Sequence, residues 1–210
     1  MNLKFLTNNV AHHERTRYAI DSVAIYEQHV VSTNGRAMLV IPHEAAANGV
    51  FSSSWPILVP LAMIRLAEAA YPHDAVVQVA LVPAAATGGY VIRLMWDGSR
   101  NGKMTPRGHP CVTIEQDYRD GEFPSWKEHF PDSAVRSNSR EMNAHGFDMS
   151  FGANYWIQIL NIFSALDITQ FCVQCAMGDD YRTKPVIFSS ACGVQATLMP
   201  VKMDKKKQMT

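Results

Sequence analysis

The feature that most limits what this chain can fold into is a strand-helix-strand-strand-strand pattern that occurs twice. In the first copy, Phe51 to Pro56 (FSSSWP) leads into Leu58 to Ala70, where Ile57, Leu61 and Ile64 share one face at helical spacing and Pro60 falls in the first turn. Alternating runs follow at Val76 to Val82 and Tyr90 to Trp96, and after a polar loop from Asp97 to Pro110, Cys111 to Gln116 closes the set. In the second copy, Met149-Ser150-Phe151 leads into Asn154 to Leu166, whose Trp156, Ile159, Leu160 and Phe163 keep the spacing of a buried helix face. Phe171 to Met177, Pro185 to Ser189 and Val194 to Val201 then read as strands. Ahead of both copies, Tyr18 to Tyr26 and His29 to Pro42 predict a hairpin, with Asn34-Gly35 a turn or bulge. The implied fold is α+β: duplicated strand-helix-strand half-units with antiparallel sheets.

Composition narrows the function. Apolar residues make up 47% of the 210-residue chain, enough for a folded core rather than disorder. Lys plus Arg and Asp plus Glu both total 19, so any nucleic-acid contact has to be local. No segment approaches the roughly 18 apolar residues of a membrane span, and the start MNLKFLTNNVAHHE is too brief in apolar residues for a signal sequence. Four cysteines are sparse for a disulfide scaffold, and the expected location is the cytoplasm. Within the last strand, Pro200 cannot donate a ladder hydrogen bond, which leaves the apolar Leu198-Met199-Pro200-Val201 run at an edge. Taken alone, Leu198 and Met199 are ordinary core residues at the end of a sheet. The alternative is an edge kept apolar for a binding partner.

Three segments, in order, resemble those of the bacterial DNA polymerase III β sliding clamp family. "STNGRAMLV" at 32–40 resembles the family's Ala-Thr-Asp-Gly-His-Arg-Leu-Ala-Val, and "DGEFPSWKEHFPD" at 120–132 its Asp-Gly-Arg-Phe-Pro-Asp-Tyr run. "MSFGANYWIQIL", followed by "TLMPVKM" at 197–203, resembles the family's Gly-Phe-Asn-x-x-Tyr helix start and terminal Met-Pro-Met-Arg-Leu. The likeness runs over about residues 15–203 and implies a DNA-clamp (processivity) fold. A clamp subunit has three domains of two half-units each, whereas this chain has room for about three half-units. The resemblance therefore implies a clamp-like domain at 1–131 whose first helix is reduced or lost within Met1 to Glu14. After it come a linker at 132–146, a clamp-like half-domain at 147–203 and a basic tail at 204–210. Since a family ring holds twelve half-units, four copies would close one as a homo-oligomer.

The resemblance also implies a groove for the short peptide motifs of polymerases and other replication and repair proteins. Its walls would be Thr33, Gly35, Arg36 and Met38, then Pro60, Ile64 and Arg65, then Tyr155, and finally Leu198, Met199, Pro200, Val201, Lys202 and Met203. Gly152 stands where the family has asparagine, and Arg36-Ala37 where it has His-Arg. Non-specific duplex DNA contact would fall to Arg65, Arg93, Arg100, Lys103 and Arg107. The expected function is a sliding-clamp-like processivity factor that tethers polymerase to DNA, and the alternative is a non-encircling adaptor or decoy that binds the same peptides. Catalysis, a cofactor and a metal are not expected. Cys172 and Cys175 lie at an odd offset in a strand, which points their sulfurs to opposite faces, and no glycine-rich phosphate loop or nucleophile elbow is present.

Overall fold

The computed structural model describes residues 1–13, 18–43, 50–51, 55–84, 89–100, 103–104, 112–118, 121–127, 152–174 and 185–200. The expected linker at 132–146, the tail at 204–210, Arg107, Cys175 and the groove residues Val201, Lys202 and Met203 lie outside them. The fold is α+β, as expected. Strands β1 (Ser22–Ile25), β2 (His29–Thr33), β3 (Ala37–Pro42) and β5 (Ile57–Pro60) join β10 (Phe171–Gln174), β11 (Val186–Ser190) and β12 (Gln195–Leu198) in one seven-stranded sheet. The order is β10-β11-β12-β3-β2-β1-β5, antiparallel throughout. A second sheet holds β4 (Val50–Phe51), β6 (Ala75–Pro83), β7 (Tyr90–Arg100), β8 (Lys103–Met104) and β9 (Val112–Asp117).

Helices α1 (Lys4–Thr7), α2 (Leu61–Ala70) and α3 (Ala153–Ala165) supply the apolar faces for the main core. That cluster takes residues from both halves of the chain: Leu3, Leu6 and Val10, Met63 and Ile64, Ile159 and Phe163, and Phe188 and Leu198 from the sheet. The reduced first helix is a single turn. Its place is filled by Met1, Leu3, Leu6 and Val10, all at most 1% exposed. Stretches with so many buried apolar residues hold position through packing, not intrinsic helix propensity.

Four local expectations change. Ile57, Leu58 and Val59 are strand, because they pair with Ile25, Ala24 and Val23 of β1. The apparent Ile57-Leu61-Ile64 helix face was a β-strand running directly into a helix. Pro60 is therefore the N-cap, not a first-turn residue, and the carbonyl of Asp21 takes the free Leu61 N–H at 2.9 Å. On α3, Ile159, Ile162 and Phe163 are buried, while Trp156 and Leu160 are half-buried. Strand β12 ends at Leu198, one residue short of Met199-Pro200, so the proline lies past the ladder it could not have completed.

Helix α3 ends in a Schellman turn: Ile168 N–H donates to Phe163 O at 2.8 Å and Asp167 N–H to Ser164 O at 3.0 Å, with Asp167 at φ 60. This turn reverses the chain into β10. Between β11 and β12, Gly193 has φ 85, and a Cβ there would lie 2.9 Å from Pro42 Cγ on β3. Gly193→Ala is expected to destabilise by about 1–2 kcal/mol through backbone strain and this contact. Urea unfolding measures it, and an unchanged midpoint would show that the hairpin adjusts freely.

Candidate functional site

The two halves of the chain meet where β12 pairs with β3. Leu198 stands opposite Ala37, Thr197 opposite Met38, and past the end of the ladder Met199 N–H still donates to Arg36 O at 2.9 Å. The β2–β3 turn that presents Arg36 is fixed by its own side chains. Asn34 Oδ1 accepts from Arg36 N–H at 2.9 Å and Ala37 N–H at 2.7 Å, and Gly35 takes φ 80. Thr33 Oγ1 accepts the Gly35 N–H at 3.1 Å and donates to Ala37 O at 2.8 Å. An asparagine side chain mimicking a backbone turn, followed by glycine, is what this loop geometry requires. Gly35 and Arg36 are consequently exposed on a rigid support, and Met199 and Pro200 are half-buried beside them.

Alternation along the strands sends Ala37 and Leu198 to the main core and Met38 to the opposite face. There Met38 joins Val31 and Val40, covered by Tyr26, Phe123, Trp126 and Ile187. Phe123 and Trp126 of this cover come from the segment at 121–127, tied down where Ala19 N–H donates to Glu122 O at 2.9 Å. Trp126 lies 4.8 Å from His29 and 6.0 Å from Tyr26 between ring centroids, with Lys127 Nζ 5.8 Å from its ring. Burial, then the Lys127 ammonium, hold the His29 imidazole below its ordinary value, so it is neutral at pH 7. Burial raises the Tyr26 phenol. The face of the sheet opposite the main core is thus apolar: Val31, Met38 and Val40 lie under Tyr26, Phe123, Trp126 and Ile187.

The expected groove residues divide accordingly. Gly35, Arg36, Met199 and Pro200 come together at the seam. Thr33 builds the turn, and Leu198 is fully buried in the core, where its own strand position had placed it before any resemblance was considered. Met38 is 5% exposed under the Phe123–Trp126 cover. Ile64 is 2% exposed in the main core and offers no surface, and Pro60 ends β5, at the far edge of the sheet from β12. Tyr155 is half-buried in the first turn of α3, its ring against Gly152, where a Cβ would come within 2.9 Å of it. Phe123, Trp126 and Ile187, which were not among the expected site residues, cover Met38, and the first two lie in one of the three segments that carry the resemblance.

The expected DNA contacts are not gathered into one field among the described residues. Arg93 Nε donates to Glu115 Oε1 at 2.6 Å across β7 and β9. Arg65 Nη2 lies 2.9 Å from His13 Nε2. Arg100 and Lys103 are register partners of β7 and β8, on the second sheet. Among the described residues no group of three His, Cys, Asp or Glu side chains could hold a metal ion, and no helix is long and apolar enough to cross a membrane.

No protein-family model and no curated protein matches the sequence. Among solved structures, the chain is similar to the beta clamp of Helicobacter pylori, crystallised bound to a DNA ligase peptide. The TM-score is 0.56 at 10% sequence identity, over 96% of this chain and 62% of that one. The likeness supports a clamp-like fold, and this chain spans less than two thirds of that clamp chain's length.

Proposed function

We propose that this chain is a sliding-clamp-like factor that docks short peptide segments of a DNA polymerase or other replication and repair proteins at the β3–β12 seam. As a homo-oligomeric ring it holds them on duplex DNA in the cytoplasm. It is a tether, with no chemistry of its own. The observation that carries this reading is the seam itself: an apolar Met199-Pro200 edge beyond the last ladder bond, beside an exposed Arg36 on a turn that its own side chains hold still. A rigid support with adaptable methionine on it suits recognition of several related peptides. The similarity to a clamp crystallised with a ligase peptide supports the same reading.

The test is a titration of a labelled peptide containing Leu and Phe, followed by fluorescence anisotropy. Met199→Ala and Pro200→Ser are each expected to weaken binding by about 1 kcal/mol or more, roughly fivefold or greater. Far-UV circular dichroism should be unchanged, because both residues lie past the end of β12. Wild-type affinity in both variants would remove the seam as the docking site.

One observation favours the second reading, an adaptor that does not encircle DNA. Helix α3 (ANYWIQILNIFSA) carries no charged side chain, and on α2 (LAMIRLAEAA) Arg65 is matched by Glu68. Retention on closed circular DNA with release upon linearisation distinguishes a ring from an adaptor, which would show neither.

A further inference from the structure

The N-terminal part of the fold contains an exchange between its two halves. Strand β5, which precedes α2, pairs with β1, the first strand after α1. Reciprocally, the segment that precedes α1 pairs with β6, the first strand after α2. Leu3 N–H donates to Ala75 O at 2.9 Å, Val77 N–H to Met1 O at 2.7 Å, and Asn2 bridges Val76. Each helix-bearing half thus lends its leading segment to the sheet of the other, next to the first strand after the helix.

The third half, α3 with β10, β11 and β12, has the same construction, yet among the described residues it has no such counterpart. Its first strand after the helix, β10, is the terminal strand of the seven-stranded sheet. Apolar residues there are left uncovered. Val173 stands opposite the fully buried Phe188, hence on the helix-facing side of the sheet, but is 46% exposed. Phe171 next to it is half-buried. On α3, Trp156 and Leu160 are half-buried on the flank away from Gln158, whose side-chain amide reaches Asn9 O of the N-terminal half.

We infer that β10 and this flank of α3 form a two-fold interface with the same surface of a second copy of the chain. The contact joins the third halves of two copies at the strand next to which the first two halves receive each other's leading segments. The sheet already runs unbroken from one half to the next at β12–β3, so a strand added at β10 extends it at its other side, and an exposed edge strand is a template for such addition. Charge selects the occupant. The sequences ANYWIQILNIFSA and FCVQ contain no charged residue, so placing this surface against itself brings no like charges together, which an isologous contact requires. The same lack of cations leaves nucleic acid without a phosphate contact here. This inference rests on the proposed association of copies and is independent of peptide docking at the seam.

Light scattering coupled to size exclusion tests it on the full chain. Val173→Glu is expected to halve the particle mass with an unchanged far-UV spectrum, since the side chain sits on an open edge. Leu66→Glu, on α2 and 59% exposed, is expected to keep the wild-type mass. As a check that needs no variant, amides of β10 should lose hydrogen-exchange protection when the wild type is diluted, while those of β12 keep theirs. A wild type that stays monomeric across micromolar concentrations, a Val173→Glu protein of wild-type mass, or a β10 indifferent to dilution would each overturn the two-fold interface. Peptide binding measured on the same samples separates that failure from failure of the docking reading.

Discussion

Replacing Phe188 by alanine is expected to lower stability by about 3–5 kcal/mol, a large share of what a domain of this size has. Phe188 is fully buried on β11 and lies among three other rings: Trp156 at 5.0 Å, Phe171 at 6.0 Å and Phe163 at 6.5 Å between centroids. Two of these come from α3 and one from β10, so the ring holds the third half's helix against its sheet. The cavity would open at an interlocked site with little freedom to collapse, which puts the cost at the upper end for large-to-small changes. Because one core cluster and one sheet run through both halves, the loss is expected in a single transition. Tryptophan fluorescence and far-UV circular dichroism should give the same urea midpoint, shifted together. If the two probes separated, with only the fluorescence transition moving, the third half would be unfolding by itself.

The sequence made the repeated unit legible because periodicity is a local property. The α3 face, the strands β6, β7 and β9, and the Asn34-Gly35 turn follow from side-chain spacing and turn chemistry within a few residues. The Ile57-Leu58-Val59 run was ambiguous for the same reason: over so short a window, i, i+4, i+7 and strand alternation overlap, and only pairing with β1 decides. Trp156 and Leu160 fit the helix face by spacing, but how deeply a flank is buried depends on what packs beside it, which one sequence does not record. At the seam, Arg36 and Met199 were expected from the resemblance, and the pairing of β12 with β3 brings them together. That Phe123 and Trp126 cover Met38 was not legible, because the packing spans more than eighty residues of chain and no local pattern announces it. Ile64, expected at the groove from the resemblance, lies in the main core, because an apolar side chain on the buried face of a short helix packs inward.

The second large effect is a loss of stability in acid traceable to His43. This residue follows β3 directly, is 7% exposed, and neither ring nitrogen has a hydrogen-bond partner among the described residues. Burial, then the neighbouring Met1 ammonium, lower its pKa from 6.5 to about 4. The folded state therefore resists the charged imidazolium, while the unfolded chain accepts a proton at 6.5. Between those two values the unfolded state binds more protons, so stability rises with pH. His43 imposes no penalty above pH 6.5, an increasing one as pH falls toward 4, and a constant one below that. The full effect is roughly 3 kcal/mol. Carboxylates add their own acid dependence, so the diagnostic quantity is the difference between two proteins. His43→Phe removes the titration, and its urea midpoint should fall less than the wild type's between pH 6.5 and 4.5, whatever the substitution does to stability at pH 7.5. Parallel curves for the two proteins would mean that the imidazole is hydrated or partnered in solution and does not sense the core beside it.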